Sequence, residues 1–214
     1  IPIVFLAAPD PVGAGLVASL VRPGGNLTGL TNIAAELSPK ALELLKETIP
    51  GITRVAVFHC GAQGWESLQG PAQHLGLHLH ALEVQSPALD HFTALFDAAV
   101  HERADALLVL NCRDTVALPR EQLAALAMQN RLPAIYPWKS VVVAGGLMSY
   151  GHDTADRPRD VARYVDQILK GANPADLPVE RSMRFQLVIN LKTAAALGIT
   201  ISPMILFQAT EVIQ

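Results

Sequence analysis

An open, doubly wound α/β fold is predicted for this chain by three observations. Strand-like and helix-like segments alternate from about Ser38 to Tyr136 at the spacing of βα units. One of these strands, residues 106–111, is continuously apolar up to its closing Asn111, the pattern of a parallel sheet covered on both faces. Half of the 214 residues are apolar, enough for a sizeable core in one large domain or two small ones.

Taken in order, Ile1 to Phe5 reads as a strand, 12–20 as an apolar helix carrying Gly13 and Gly15, and Pro23-Gly24-Gly25-Asn26 as a turn. Ser38-Pro39 reads as an N-cap followed by proline at the first helical position, opening a helix over 38–47 that closes before Pro50-Gly51. Strands at 54–59, 77–84, 106–111 and 134–136 are separated by helices at 66–75, 90–102 and 119–129, which makes a lobe of its own. A strand at 147–150, a helix at 159–169 stopped by Gly171, a strand at 187–190 and a helix at 191–197 ended by Gly198 follow. The first thirty residues and the segment after Val143 do not fit as outer strands of that lobe's sheet. Residues 23–29 and the Gly145-Gly146 break read as crossings into a second body, for which the remaining elements supply half a sheet.

Several function classes are excluded. No apolar stretch approaches the roughly 20 residues of a bilayer span. The basic residues form no face and no aromatics are interleaved with them, so nucleic acid is not an expected partner. There is no Gly-Lys-Ser/Thr loop and no dinucleotide fingerprint; Gly13 and Gly15 read as helix packing. His74, His78 and His80 lack the HExxH pattern or a second Cys pair and read as solvent-facing, so neither metal nor other cofactor is expected. Asn26-Leu27-Thr28 matches a glycosylation sequon and reads as a turn.

The candidate site lies in loops after strands, where open α/β sheets collect ligands. Asp10, stiffened by Pro9 and Pro11, is a base, a metal ligand, an acceptor for a ligand ammonium, or a turn anchor. Gln63 and Trp65 follow the first strand of the regular lobe, Asn111, Cys112, Arg113 and Asp114 the third, and Tyr136 and Trp138 the fourth; Tyr150 ends the 147–150 strand. Aromatic walls with a few charged groups suit a small ligand with an apolar part and a charged head. Arg113 matches a carboxylate, and Asp10 or Asp114 an ammonium. Cys60 and Cys112 end neighbouring strands in the usual doubly wound order, about 4.8 Å apart, so a disulfide and two free thiols both remain open. No nucleophile, base and orienting group assemble, which speaks against an enzyme.

The segments IPIVFLAAPDPVGAGLVASLVRPGGNLTG, SPKALELLKETIPGITRVAVF, ADALLV, LPAIYPWKSVVVAGGLMSYG, YVDQILKGANPADLPVERSMRFQLVINLKTAAALGIT and ATEVI resemble, in the same order, the substrate-binding proteins of bacterial ABC transporters of the tryptophan/tyrosine-binding group. The resemblance implies two Rossmann-like lobes of a type I-like periplasmic binding protein, joined by three crossings, with a small ligand in the cleft. It implies export to the periplasm or the extracytoplasmic face of the membrane, a leader outside this chain, and delivery of ligand to an ABC permease. The chain is similar to about the carboxyl-terminal two thirds of such a protein, with the first lobe incomplete. The expected division is 1–30 in lobe I, 31–141 in lobe II, 142–178 returning to lobe I and 179–214 crossing back to lobe II. By position, Asp10 falls in the first-lobe pocket loop, Tyr150-Gly151 in the returning first-lobe strand, and Tyr136 and Trp138 near a crossing. Where many members carry Asn-Pro, this chain has His59-Cys60-Gly61, so an aromatic amino acid is not assumed as ligand. The expected function is binding of an amino acid or related carboxylate. The alternatives are a small-molecule enzyme using Asp10 or Cys112, and a ligand-sensing regulatory domain. Self-association through the incomplete lobe is also expected.

Overall fold

The computed structural model describes residues 1–214 other than 9, 32–33, 62–63, 113–114, 116, 154–156 and 182–183; the side chains of 7, 34–36 and 157 are likewise not described. In chain order the elements begin with β1 (Ile3–Ala8), β2 (Leu27–Thr31), α1 (Ala34–Thr48), β3 (Arg54–His59), α2 (Gln69–His74), β4 (His78–Glu83), α3 (Leu89–His101) and β5 (Ala106–Val109). They continue with α4 (Arg120–Gln129), β6 (Ala134–Tyr136), α5 (Lys139–Val143), β7 (Met148–His152), α6 (Arg157–Leu169), β8 (Glu180–Arg181), β9 (Phe185–Asn190), α7 (Leu191–Leu197), α8 (Pro203–Gln208) and β10 (Glu211–Ile213). The chain forms two compact units, one of residues 1–34 with 152–185 and one of residues 35–151 with 186–214.

The larger unit is built on a seven-stranded sheet in the order β10-β9-β7-β6-β5-β3-β4. Strands β4, β3, β5, β6 and β7 run parallel. β10 runs parallel to β9. The carboxyl end of β9 meets the amino end of β7, Asn190 N–H donating to Leu147 O at 2.8 Å, so this pair runs antiparallel. β3 and β5 are buried almost end to end, which explains their unbroken apolar runs. β4 lies at the sheet's end and carries His78, His80 and Glu83, the polar dressing of an edge strand.

The pleat sends alternate residues of β3 to opposite faces. Val55 and Val57 join Leu42 and Leu45 of α1, Ala72 of α2 and Ile205 of α8 on one face. Ala56 and Phe58 join Phe92 and Phe96 of α3, Leu123 of α4 and Val141 of α5 on the other. Phe58 meets Phe92 and Phe96 edge-on at 6.1 and 5.2 Å. Each such fully buried side chain contributes about 1.5–3 kcal/mol relative to exposure.

Two expectations for this unit are corrected. The 147–150 strand, expected in the returning part of the first lobe, is β7 and lies between β6 and β9 of the larger sheet. Helix α1 starts at Ala34, which puts Pro39 inside it. Proline there forgoes one backbone hydrogen bond, a cost offset by burial of Leu42, Leu44 and Leu45 on the helix's inner face. α8 was not foreseen, although Ser202 caps it by accepting from Ile205 N–H at 3.3 Å and Pro203 stands in its first turn.

The smaller unit holds a three-stranded parallel sheet, β1-β2-β8. β2 begins inside the 23–29 stretch expected as a crossing and was not expected as a strand, because Leu-Thr-Gly-Leu-Thr carries little strand pattern. The close approach of the two chains requires its glycine: a Cβ on Gly29 would stand 2.0 Å from Phe5 O. The helix expected over 12–20 is absent. Successive tight turns replace it, with Ala14 N–H donating to Asp10 O and Leu16 and Val17 N–H both to Pro11 O. Gly15 at φ 68° reverses the backbone and ends any helical run. Helix α6 buries Tyr164, whose hydroxyl donates to Pro178 O at 2.6 Å.

Candidate functional site

The parallel strands β3 to β7 of the larger unit present their carboxyl ends on one edge, and three of the sequence-selected residues follow these strands there. Trp65 comes after β3, Cys112 after β5 and Trp138 after β6, whereas Tyr150, expected to end its strand, is the middle residue of β7, which runs on to His152. The chain leaves β3 for β4 on one side and returns to β5 on the other. α2 packs on one face and α4 on the opposite face. The crevice between the carboxyl ends of β3 and β5 is therefore a topological switch point, the usual ligand position in open α/β sheets.

Cys60 and Cys112 form a disulfide across this crevice, with Cα atoms 5.9 Å apart. This settles the pairing that sequence left open, and it takes Cys112 out of use as a free nucleophile. On the β3 side, Trp65 stacks on His59 with ring centroids 5.8 Å apart. His59 is held by a 2.8 Å contact between Nδ1 and Gly61 O. On the β5 side, buried Thr115 accepts from Cys112 N–H at 3.1 Å and closes the turn. Arg120 Nη1 donates to Thr115 O at 3.3 Å. The Arg120 guanidinium also lies over the Trp138 ring at 4.1 Å. Burial lowers the Arg120 pKa from its ordinary value. A continuous series of contacts thus runs along the edge from Trp65 to Trp138.

His59 and Arg120 were missed as parts of this edge. Arg120 had a signal: a cation in the first turn of a helix opposes the macrodipole, so its place needs another reason. The Trp138 ring and Thr115 O are that reason.

Tyr150 is half-buried against the α1 side of the core. Burial raises its pKa, opposed by Lys40, which is itself raised chiefly by its hydrogen bond to Glu43 at 3.0 Å. Gly151 lets β7 pass Pro137, since a Cβ there would stand 2.1 Å from Pro137 O. Tyr136 is only 1% exposed and belongs to the core on the α3 and α4 side. Its ring occupies space left by Gly146, where a Cβ would meet Cε2 at 2.8 Å, and burial raises its hydroxyl pKa. Tyr136 therefore packs as a core residue rather than opening to the edge.

Asp10 belongs to the smaller unit, at the carboxyl end of β1. Its Oδ1 accepts from Gly13 N–H at 2.8 Å. A Cβ on Gly13 would fall 2.1 Å from Oδ2, so the glycine and the carboxylate are fitted to each other as a turn anchor. Gln63, Arg113 and Asp114 lie outside the described residues. Among the described residues there is no group of three or more His, Cys, Asp or Glu side chains that could hold a metal ion. No helix among them is long and apolar enough to cross a membrane.

A family model described as "ABC transporter substrate binding protein" matches residues 1–213. A tyrosine-binding protein of Clostridioides difficile is 26% identical over 199 residues; the match covers 92% of this chain and 57% of that protein. The chain thus spans little more than half the length of that curated relative. A conserved domain protein from Vibrio cholerae is similar at 32% identity with a TM-score of 0.84, over 99% of this chain and 71% of that one. An ABC domain from Streptococcus pneumoniae in complex with L-Trp is similar at 29% identity and a TM-score of 0.83, over 99% and 73% of the two chains. The family is thus described as substrate-binding, one relative is named for binding tyrosine, and another is solved with L-Trp bound.

Proposed function

From the premise that this chain belongs to the ABC transporter substrate-binding protein family, we propose that it holds a small organic ligand, an amino acid or related carboxylate, and presents it to a membrane permease. The observation that carries this reading is the gathering of Trp65, Cys112 and Trp138 behind parallel strands of one sheet edge, at and beside its switch point, with Tyr150 inside β7 next to them in the sheet. Trp65 and Trp138 supply apolar contact, and Tyr150 a polar tip. Arg113 is the proposed partner of a carboxylate; Gln63 and Asp114 join the proposed set by their places in the chain. In its own unit, Asp10 is proposed to accept from a ligand N–H with the oxygen that Gly13 does not occupy. The relatives named for tyrosine and bound to L-Trp make aromatic amino acids the first compounds to try. Residues 1–34 with 152–185 and residues 35–151 with 186–214 are proposed as the two lobes of the binding protein. The disulfide supports an extracytoplasmic location, where such bonds persist.

Both tryptophans of the chain are in the proposed site. Intrinsic fluorescence titrated with L-tyrosine, L-phenylalanine and small carboxylates therefore reads the site directly. Saturable change without product formation is the expected result. Turnover of the compound, or no response to any member of the panel, would refute the proposal.

A further inference from the structure

We propose that the Cys60–Cys112 cystine is a positioning element of the ligand site, holding the two sides of the switch-point crevice at a fixed separation. This rests on the reading that ligand binds at this edge. The last ladder contact between β3 and β5 is Leu110 N–H donating to Phe58 O at 2.9 Å. Beyond it both strands have ended, and no further main-chain bond joins the two segments among the described residues. The cystine lies just past that point, with a Cα separation of 5.9 Å that extends the strand spacing by one covalent tie. Both half-cystines are half-buried at the loop bases rather than deep in the core. What they join are two ordered clusters: His59 with Trp65 on one side, and Thr115 with Arg120 and Trp138 on the other. Cutting the tie leaves each cluster intact and frees their mutual spacing. Ligand must then order that spacing at its own cost.

The cut is made by a dithiol reductant. Its thiolate attacks one sulfur to give a mixed disulfide, and its second thiol displaces the protein sulfur. Cys60 and Cys112 each end as a thiol, and the reductant ends as a cyclic disulfide. The experiment compares the oxidised full chain, the dithiol-reduced chain and the C60S/C112S variant at a temperature where circular dichroism shows all three folded. Calorimetric titration with L-tyrosine and L-tryptophan is expected to show binding weakened about tenfold, or about 1.4 kcal/mol, on loss of the tie. Backbone hydrogen exchange without ligand is expected to quicken in peptides covering 59–65 and 110–115 while β3 and β5 stay protected. Reoxidation of the reduced wild-type chain should restore both values, and no such recovery is open to the variant. Unchanged exchange in these peptides overturns the proposal whatever the ligand. Quickened exchange with unchanged affinity overturns the positioning role while leaving the binding reading standing. An oxidised chain that binds neither amino acid, nor any of the panel above, refutes the binding reading instead, and exchange still decides whether the tie orders the loops.

Discussion

Replacing Gly151 by alanine tests whether β6 and β7 meet at the site edge as closely as described. The new Cβ would stand 2.1 Å from Pro137 O and 3.0 Å from Pro137 C. The first of these is about 1 Å or more inside ordinary contact, and the opposing atoms are backbone, which cannot swing aside as a side chain would. Overpacking costs about 1–3 kcal/mol where side chains can yield, so a cost of about 3 kcal/mol or more is expected here. For a chain of this size each kcal/mol lowers Tm by about 2–4 °C, which gives a fall of about 6–12 °C. Gly51→Ala is the control, because nothing lies within 4 Å of a Cβ there and its φ is not in the left-handed region. It should leave Tm unchanged or raise it by about 1–4 °C through reduced unfolded-state entropy. Thermal unfolding followed by far- and near-ultraviolet circular dichroism measures both. A Gly151→Ala Tm within about 2 °C of the parent would show that the β6–β7 approach is not as close as described.

Three further outcomes are expected. Burial raises the Tyr164 pKa from 10.0 to about 12, so its contribution to stability is complete below pH 10 and is lost as pH rises from about 10 to 12. Urea midpoints measured across that window should fall in the parent and fall less steeply in Tyr164→Phe; equal slopes would contradict the assignment. The buried Tyr136 hydroxyl has no hydrogen-bond partner among the described residues, so Tyr136→Phe should be neutral or stabilising by up to about 1–3 kcal/mol, the desolvation cost of an unsatisfied group; a clear loss of stability in denaturant titration would reveal a partner. β1 is an end strand of the smaller sheet, with Ile3 and Leu6 each 48% exposed. Light scattering should show mass rising with concentration, and Leu6→Lys should suppress the rise; a monomer at every concentration sinks this expectation.

Much of the fold and part of the site were legible in the chain. The unbroken apolar runs of β3 and β5, with helical patterns between the strands, specify a parallel α/β sheet because burial on both faces leaves no polar alternation. Once the sheet is parallel, Trp65, Cys112 and Trp138 must gather at its carboxyl edge, since each follows a strand end. The turn signals at Gly171 and Gly198 were equally local and ended α6 and α7 close to where they were read.

The remainder depended on contacts between distant segments. Whether β7 completes the smaller or the larger sheet is decided by pairing with Ala134–Tyr136, and nothing within Met148–His152 encodes that partner. The same holds for β9, whose direction against β7 is set across more than thirty residues of chain. Tyr136 sits at a strand end yet turns into the core because Gly146 leaves room for its ring. Asp10 anchors a turn through Gly13 where the sequence allowed an open carboxylate. Periodicity and capping are properties of neighbouring residues and are written in the sequence itself. Strand partners, the side to which a ring turns and the closing of the cystine are properties of separations through space, which only the folded chain brings into being.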